Sequence, residues 1–237
     1  MLGARGMIGL IVPSNNTVIL PEFYSALPDG VTAYETRMRV EGELTPELLR
    51  KMVRDAEAAA DLLRQTRVGF ICYCCMASTI VKGWDWERDL LARFASNARK
   101  GVTSANGALR DALAALGAKR LALVTPYPED LNALLPAFFS AGGFEVTKIA
   151  GTPVRDVAAV RGLSPDQILL AGRGVAAAGV DAVCLLATDV QTFPIIDRLE
   201  REIGRPVVSS NQALLWASLR ALGVTEPIHG LGKLLHV

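Results

Sequence analysis

The sequence predicts an α/β protein of two pseudo-symmetric lobes, each a parallel sheet flanked by helices, with a cleft between them. Three observations predict it. Short runs rich in Val, Ile and Leu alternate with helical stretches of about ten residues or more, the pattern of parallel strands covered by helices. The strand runs are almost continuously apolar, as strands buried on both faces are. The chain also repeats itself: Ile8-Gly9-Leu10-Ile11-Val12-Pro13 has a counterpart in Leu121-Ala122-Leu123-Val124-Thr125-Pro126. At the same offset, Val68-Gly69-Phe70-Ile71 matches Asp181-Ala182-Val183-Cys184. The expected division joins residues 1–103 with 209–237 in a first lobe and leaves 104–208 as the second.

Each element follows from local chemistry. Met7 to Val12 is an apolar strand closed by Pro13, Ser14, Asn15 and Asn16, which form a turn or helix cap. Val31 to Val40 carries β-branched and aromatic residues at strand spacing. Thr45-Pro46-Glu47 opens a helix that runs to about Thr66, with Thr as cap and Pro in the first turn. Leu48, Leu49, Met52, Val53 and Ala56 form its inner face. Val68 to Tyr73 is a buried strand, followed by a cysteine-rich turn and a helix through Trp86, Leu90 and Phe94. Ser104 to Leu116 reads as a helix stopped by Gly117, and Leu121 to Thr125 as a strand. A helix follows Pro126-Tyr127-Pro128 as far as Ala141, and Phe144 to Ala150 is a strand. Ser164-Pro165 caps a helix to about Ala178, and Ala182 to Leu186 is a strand. A helix from Pro194 to Ile203, a short strand at Pro206 to Val208 and a helix from Asn211 to Leu222 complete the order.

Bulk properties exclude several function classes. The 237 residues carry a net charge of +1, with Lys and Arg dispersed, so no field favours nucleic acid or an acidic membrane. No apolar run reaches the roughly 20 residues of a membrane span, and Met1 to Gly6 is too short for a secretion signal. Three of the four cysteines, Cys72, Cys74 and Cys75, fall too close together to staple a fold; Cys184 is the fourth. A reducing, cytoplasmic setting is expected. Cys72 and Cys75 lack the second ligand pair that zinc requires, and His229 and His236 both sit in the C-terminal tail. Phosphate-loop and dinucleotide-binding glycine patterns are absent, which disfavours a nucleotide cofactor.

Four strand-end loops remain as candidate chemistry: Pro13 to Thr17, Cys74 to Thr79, Pro126 to Asp130 and Ala187 to Thr192. Cys75 follows a buried strand, where the backbone amides of Met76, Ala77 and Ser78 can favour a thiolate or cradle a carboxylate oxygen. Free cysteines often serve as small core hydrophobes, and that reading suits Cys72, Cys74 and Cys184. Asn15 and Asn16 are equally readable as a helix cap, and Tyr127 as packing between prolines. Trp84 and Trp86 read as surface anchors. Asp189 and Gln191 are polar where a ligand could reach them, or mark a helix end.

At these loops the sequence resembles the maleate cis-trans isomerase and arylmalonate decarboxylase branch of the aspartate/glutamate racemase superfamily. The resemblance rests on Gly9-Leu10-Ile11-Val12-Pro13-Ser14-Asn15-Asn16-Thr17, Thr36-Arg37-Met38 and Cys74-Cys75-Met76-Ala77-Ser78-Thr79-Ile80-Val81-Lys82-Gly83. It continues through Thr103-Ser104-Ala105, Thr125-Pro126-Tyr127 and Pro206-Val207-Val208-Ser209-Ser210 with Trp216. The resemblance implies a small-acid site between the lobes with no metal or organic cofactor. It implies a cysteine-based isomerase, with a decarboxylase or one-base racemase as the alternative and an inactive carboxylate binder as a further one. Cys75 falls on the family's first-lobe cysteine, Tyr127 on its active-site tyrosine and Asn16 on its carboxylate-binding asparagine. Ser14, Met76, Ala77, Ala187, Thr188 and Asp189 join them as expected substrate contacts, and Asp156 falls near a further polar ligand of the isomerases. The partner is expected to be a small carboxylate or dicarboxylate, with homo-oligomerisation open. One position departs from the pattern: the family's second-lobe cysteine is here Ala187, which disfavours a symmetric two-thiol racemase. The decarboxylases keep only that second cysteine, so the reverse arrangement here favours the isomerase.

Overall fold

The computed structural model describes residues 1–40, 46–154 and 156–237. The first half contains β1 (Gly6–Pro13), α1 (Ile19–Ala26), β2 (Val31–Met38), α2 (Pro46–Gln65), β3 (Phe70–Tyr73), α3 (Met76–Lys82), α4 (Trp84–Phe94), β4 (Val102–Ser104) and α5 (Ala105–Ala115). The second contains β5 (Arg120–Thr125), α6 (Glu129–Asn132), α7 (Leu135–Ala141), β6 (Glu145–Gly151), α8 (Pro165–Val175), β7 (Ala182–Leu185), α9 (Phe193–Ile203), β8 (Val207–Ser209) and α10 (Ser210–Leu222).

The strands form two four-stranded sheets, β2-β1-β3-β4 and β6-β5-β7-β8, with parallel pairing throughout. The order is the same in both, so the internal repeat is structural. Its register differs by one residue from the sequence match. Ile8 pairs with Phe70 as Leu121 pairs with Ala182, whereas the sequence match set Phe70 against Val183. Counting on from those pairs, Cys75 and Ala187 stand at equivalent turns.

Equivalent serines begin the last helix of each half. Ser104 pairs with Tyr73, and its hydroxyl accepts from Gly107 N at 2.8 Å to cap α5. Ser209 pairs with Leu185, and its hydroxyl accepts from Gln212 N at 3.1 Å to cap α10. Capping satisfies amides that a helix start leaves without partners. The two helices pack on each other, and α10 also reaches back onto β3 and β4. One apolar cluster therefore runs through both sheets, from Leu10 and Val12 through Ala105 and Ala108 to Leu123, Val183 and Leu214. A second cluster under α2 and α4 holds Ile11, Met52, Ala56, Leu63, Tyr73 and Phe94. The inner face expected of α2 holds at Met52 and Ala56, with Val53 half-buried against the same cluster. The expected cap Thr45 and the side chains of Leu48 and Leu49 lie outside the described residues.

Several elements differ from expectation. Helix α1 was not among the expected elements, although a turn or helix cap was expected at Pro13 to Asn16; Val18 at its start offers no capping side chain. Asn16 supplies the cap instead: its Oδ1 accepts from Val18 N at 2.9 Å and Ile19 N at 3.1 Å. Strand β4 is three residues long, too short to show periodicity. The single helix expected after the cysteines is split at Gly83, whose φ of 87° breaks the helical run. Trp84 and Trp86 are not surface anchors, for both are half-buried. The Trp84 ring stacks on Phe138 with centroids 4.4 Å apart, and its Nε1 donates to Phe138 O at 2.9 Å. Trp84 thereby ties α4 of the first half to α7 of the second.

Candidate active site

The loops after the central strands β1, β3, β5 and β7 converge on one cavity of about 330 Å³. Ligands of open α/β sheets bind outside such strand ends. The polar part of its wall is Asn15, Asn16, Cys75, Tyr127, Asp130, Thr188 and Asp189. Val40, Met52, Val81, Leu131, Leu134, Val154 and Val160 make it apolar elsewhere. No Lys, Arg or His lines it among the described residues.

Cys75 leaves β3 in extended conformation and is the N-cap residue of α3. Its thiol is buried, and burial pushes its pKa up from the ordinary value. The Ser78 hydroxyl and Ser78 N–H, and then the Tyr73 hydroxyl, pull the other way by hydrogen bonding to the sulfur. Tyr73 and Ser78 also bond to each other at 2.8 Å, deep in the protein. A helix start and neutral donors favour a thiolate, but desolvation dominates here, together with the nearby charge of Asp189. The resting thiol is held above its ordinary range.

The remaining cysteines sit in the core. Cys72 contacts Ser218 Oγ at 3.1 Å, Cys74 donates to Cys72 O at 3.4 Å, and Cys184 lies fully buried in β7. No group of three or more His, Cys, Asp or Glu side chains is placed to hold a metal ion, among the described residues.

The equivalent turn after β7 is built differently. Ala187 has φ of 86°, a left-handed conformation uncommon for any residue but glycine. The next residue locks the two loops together: Thr188 Oγ1 donates to Cys74 O at 3.0 Å and accepts from Asn16 Nδ2 at 3.1 Å. Asp189 faces the cavity, and burial pushes its carboxyl up to about 6. Tyr127, held by Thr125 Oγ1 through its N–H at 3.0 Å, keeps its phenol far above the ordinary value through burial and the charge of Asp189. It therefore remains a donor.

The structure thus gathers Cys75, Tyr127, Asn16, Met76, Ala77, Ala187, Thr188 and Asp189 at one wall. It does not bring Ser14 or Asp156 there. The Ser14 hydroxyl accepts from Val40 N at 3.0 Å, clipping the end of the β2 segment, and Asp156 is exposed beside the 3-10 turn at Val157–Gly162. Met76 is buried between the turns after β3 and β7, where its sulfur accepts from Ala187 N at 3.3 Å and Ser210 Oγ at 2.7 Å.

Sequence reasoning missed the residues that brace these loops. Arg37 donates to Asn16 O at 2.7 Å and Ser14 O at 3.1 Å. Asn106 donates to Met76 O at 3.0 Å, and its counterpart Asn211 donates to Thr188 O at 3.0 Å. Each asparagine thus holds the carbonyl one residue past an equivalent turn. Glu22 of α1 accepts from Asn211 Nδ2 at 2.7 Å and from the Thr192 and Phe193 amides at the start of α9. The matching Ser-x-Asn runs at Ser104 and Ser209 were the available signal.

Comparison with known proteins gives a consistent result. A family model described as arylmalonate decarboxylase matches residues 8–235. The chain is similar to a maleate isomerase of Pseudomonas putida, 30% identical over 96% of each chain. Among solved structures, it superposes on a maleate isomerase of Pseudomonas putida S16, a cysteine-to-alanine variant with maleate. The TM-score is 0.91, with 29% identity over 98% of this chain and 97% of that one. It matches equally well a maleate cis-trans isomerase of Nocardia farcinica, a cysteine-to-serine variant carrying a covalently bound succinylcysteine intermediate. There the TM-score is 0.90, with 30% identity over 98% of both.

Proposed function

The chain belongs to the arylmalonate decarboxylase family, and from that premise we propose that it is a maleate isomerase-like enzyme acting on a small cis-unsaturated dicarboxylate. The observation that carries this reading is the asymmetry of the cavity wall. A thiol stands at the turn after β3, while the equivalent turn after β7 has none. A single nucleophile suits addition to an alkene better than two-sided proton exchange at a stereocentre. The succinylcysteine reported for the Nocardia farcinica relative supports the same chemistry.

The Cys75 thiolate would attack one alkene carbon, forming a C–S bond and sending the π electrons into the adjacent carboxylate. Tyr127, as a protonated phenol, would donate to the resulting enediolate. Asn16 has one amide hydrogen on Thr188 and a second to offer a substrate oxygen. With the double bond reduced to a single bond, rotation and expulsion of the thiolate would release the trans acid. Neutral donors must do this work, since no cation lines the described wall, and such preorganised donors are effective in a water-poor site.

The test is a panel of small mono- and dicarboxylates followed by NMR in deuterium oxide, with intact-protein mass measured in parallel. Conversion of maleate to fumarate with a transient Cys75 adduct is expected. Loss of carbon dioxide from a malonate without any adduct would replace the isomerase with a decarboxylase. Binding without turnover would leave a carboxylate binder.

A further inference from the structure

Resting on that reading, we propose that Asp189 is the acid–base partner of Cys75, taking the thiol proton and delivering it to the substrate carbon next to the one sulfur attacks. Ala187 occupies the turn equivalent to Cys75 and has no ionisable group. Asp189 follows it on the same loop and lines the same cavity as Cys75 and Tyr127. The other carboxylate on the wall is Asp130, and no Lys, Arg or His lines it among the described residues. A base for the thiol must therefore come from these groups.

Asp189 suits the task in both protonation states. Its charge acts on the Cys75 sulfur and on the Tyr127 hydroxyl, pushing each towards its protonated form. Burial in turn holds the Asp189 carboxyl up at about 6, close to neutrality, where a general acid–base is most effective. Thiol and carboxylate thus compete for one proton across the cavity.

The steps balance. Asp189 carboxylate takes the proton from the Cys75 thiol and becomes the neutral acid. The thiolate adds to the alkene, and the electron pair passes into the substrate carboxylate. Asp189 then protonates the carbanionic carbon, giving a saturated thioether and a carboxylate again. Rotation about the new single bond then brings the carbon's other hydrogen to Asp189, which removes it; the C=C bond re-forms in the trans sense, and the C–S bond breaks to release the thiolate. The thiolate finally recovers its proton from Asp189.

The experiment compares the full chain with its nearly isosteric Asp189→Asn variant, with melting curves to show that both are folded and Asp189→Ala as a second variant. Cys75 alkylation by iodoacetamide is followed by peptide mass across pH, alongside maleate turnover. Removing the neighbouring negative charge should make Cys75 alkylate at least about threefold faster near pH 7. Turnover should fall at least about a hundredfold because the proton carrier is gone. A purely structural role would lower both rates. Turnover within about threefold of the parent, or superimposable alkylation profiles, would overturn the assignment. If the parent neither converts maleate nor forms an adduct, the isomerase reading fails, and the alkylation profiles decide the role of Asp189 alone.

Discussion

Cys75 and Ala187 stand at equivalent turns after β3 and β7, yet the chain leaves the two turns in different ways. At Cys75 the backbone is extended, with φ of −133°, and α3 starts at the next residue, so Ser78 N–H lies within reach of the sulfur. At Ala187 the backbone is left-handed, with φ of 86°, and α9 starts only at Phe193. The amides of Thr192 and Phe193 at that later start are already taken by Glu22. One turn thus places the Ser78 hydroxyl and N–H near the Cys75 sulfur, and the other places a loop carboxyl, Asp189, against the cavity. A duplicated fold can supply two halves of a reaction from one architecture.

The largest expected effect comes from exchanging the same side chain at both turns. Cys75→Ser should cut turnover at least about a hundredfold with little change in stability, because a hydroxyl is a far weaker nucleophile than a thiolate. Ala187→Ser should leave turnover within about threefold of the parent. Steady-state kinetics on both variants break the comparison if the two losses are similar.

A second effect is thermodynamic and tests the Asp189 side. Its folded pKa of about 6 lies above the ordinary value of 3.8, so between those limits the folded state binds more protons than the unfolded one. Linkage then makes stability fall as pH rises through that window. With the carboxyl facing an open cavity, the change discounts to about 1–2 kcal/mol. Urea unfolding of the parent and Asp189→Asn between pH 4 and pH 6.5 should show the gap closing in favour of the variant as pH rises. A pH-independent gap would place the carboxyl in an ordinary aqueous environment.

How far the sequence could lead is visible in these same loops. The α/β class and the alternation of most strands and helices were legible because buried parallel strands are short, apolar and bounded by turn residues. Cys75, Asn16 and Tyr127 were expected at a site through a resemblance spread along the chain, and the structure brings them to one cavity. Tyr73 and Ser78 were not, since a tyrosine inside an apolar strand reads as packing until its hydroxyl is seen to meet Ser78. Asn106 and Asn211 left only the matching Ser-x-Asn runs as a sign, and Glu22 left none, because its partners Asn211, Thr192 and Phe193 lie far along the chain. The left-handed Ala187 was equally hidden, because alanine gives no compositional sign of positive φ.

A third prediction sharpens the role of Ser78 at the first turn. Ser78→Ala removes a donor from the Cys75 thiolate and leaves the buried Tyr73 hydroxyl without its 2.8 Å partner. Alkylation of Cys75 should slow about tenfold at neutral pH, with its pH profile moved upward, and stability should fall by about 1–2 kcal/mol. Ser218→Ala is the control, because that hydroxyl donates to Leu214 O at 2.7 Å and touches Cys72 rather than Cys75. Its stability cost should be similar, with alkylation of Cys75 unchanged. Equal alkylation in the two variants would remove Ser78 from the thiolate's environment.

The smallest effect is also the one that separates the two turns by sign. An L-residue held in the left-handed region costs about 1–2 kcal/mol, because its Cβ crowds the following carbonyl. Glycine escapes that cost but adds conformational freedom to the unfolded chain, worth about 0.4–1 kcal/mol. At Ala187 the first quantity exceeds the second, so Ala187→Gly should stabilise the protein by less than about 1 kcal/mol and raise Tm by about 1–3 °C. At Cys75 the backbone is extended and nothing is relieved. Cys75→Gly loses a buried side chain and adds unfolded-state freedom, so Tm should fall. Differential scanning calorimetry of the two variants beside the parent reads the signs directly. A drop in Tm for Ala187→Gly comparable with that of Cys75→Gly would mean that the buried Ala187 methyl contributes more than its backbone strain removes.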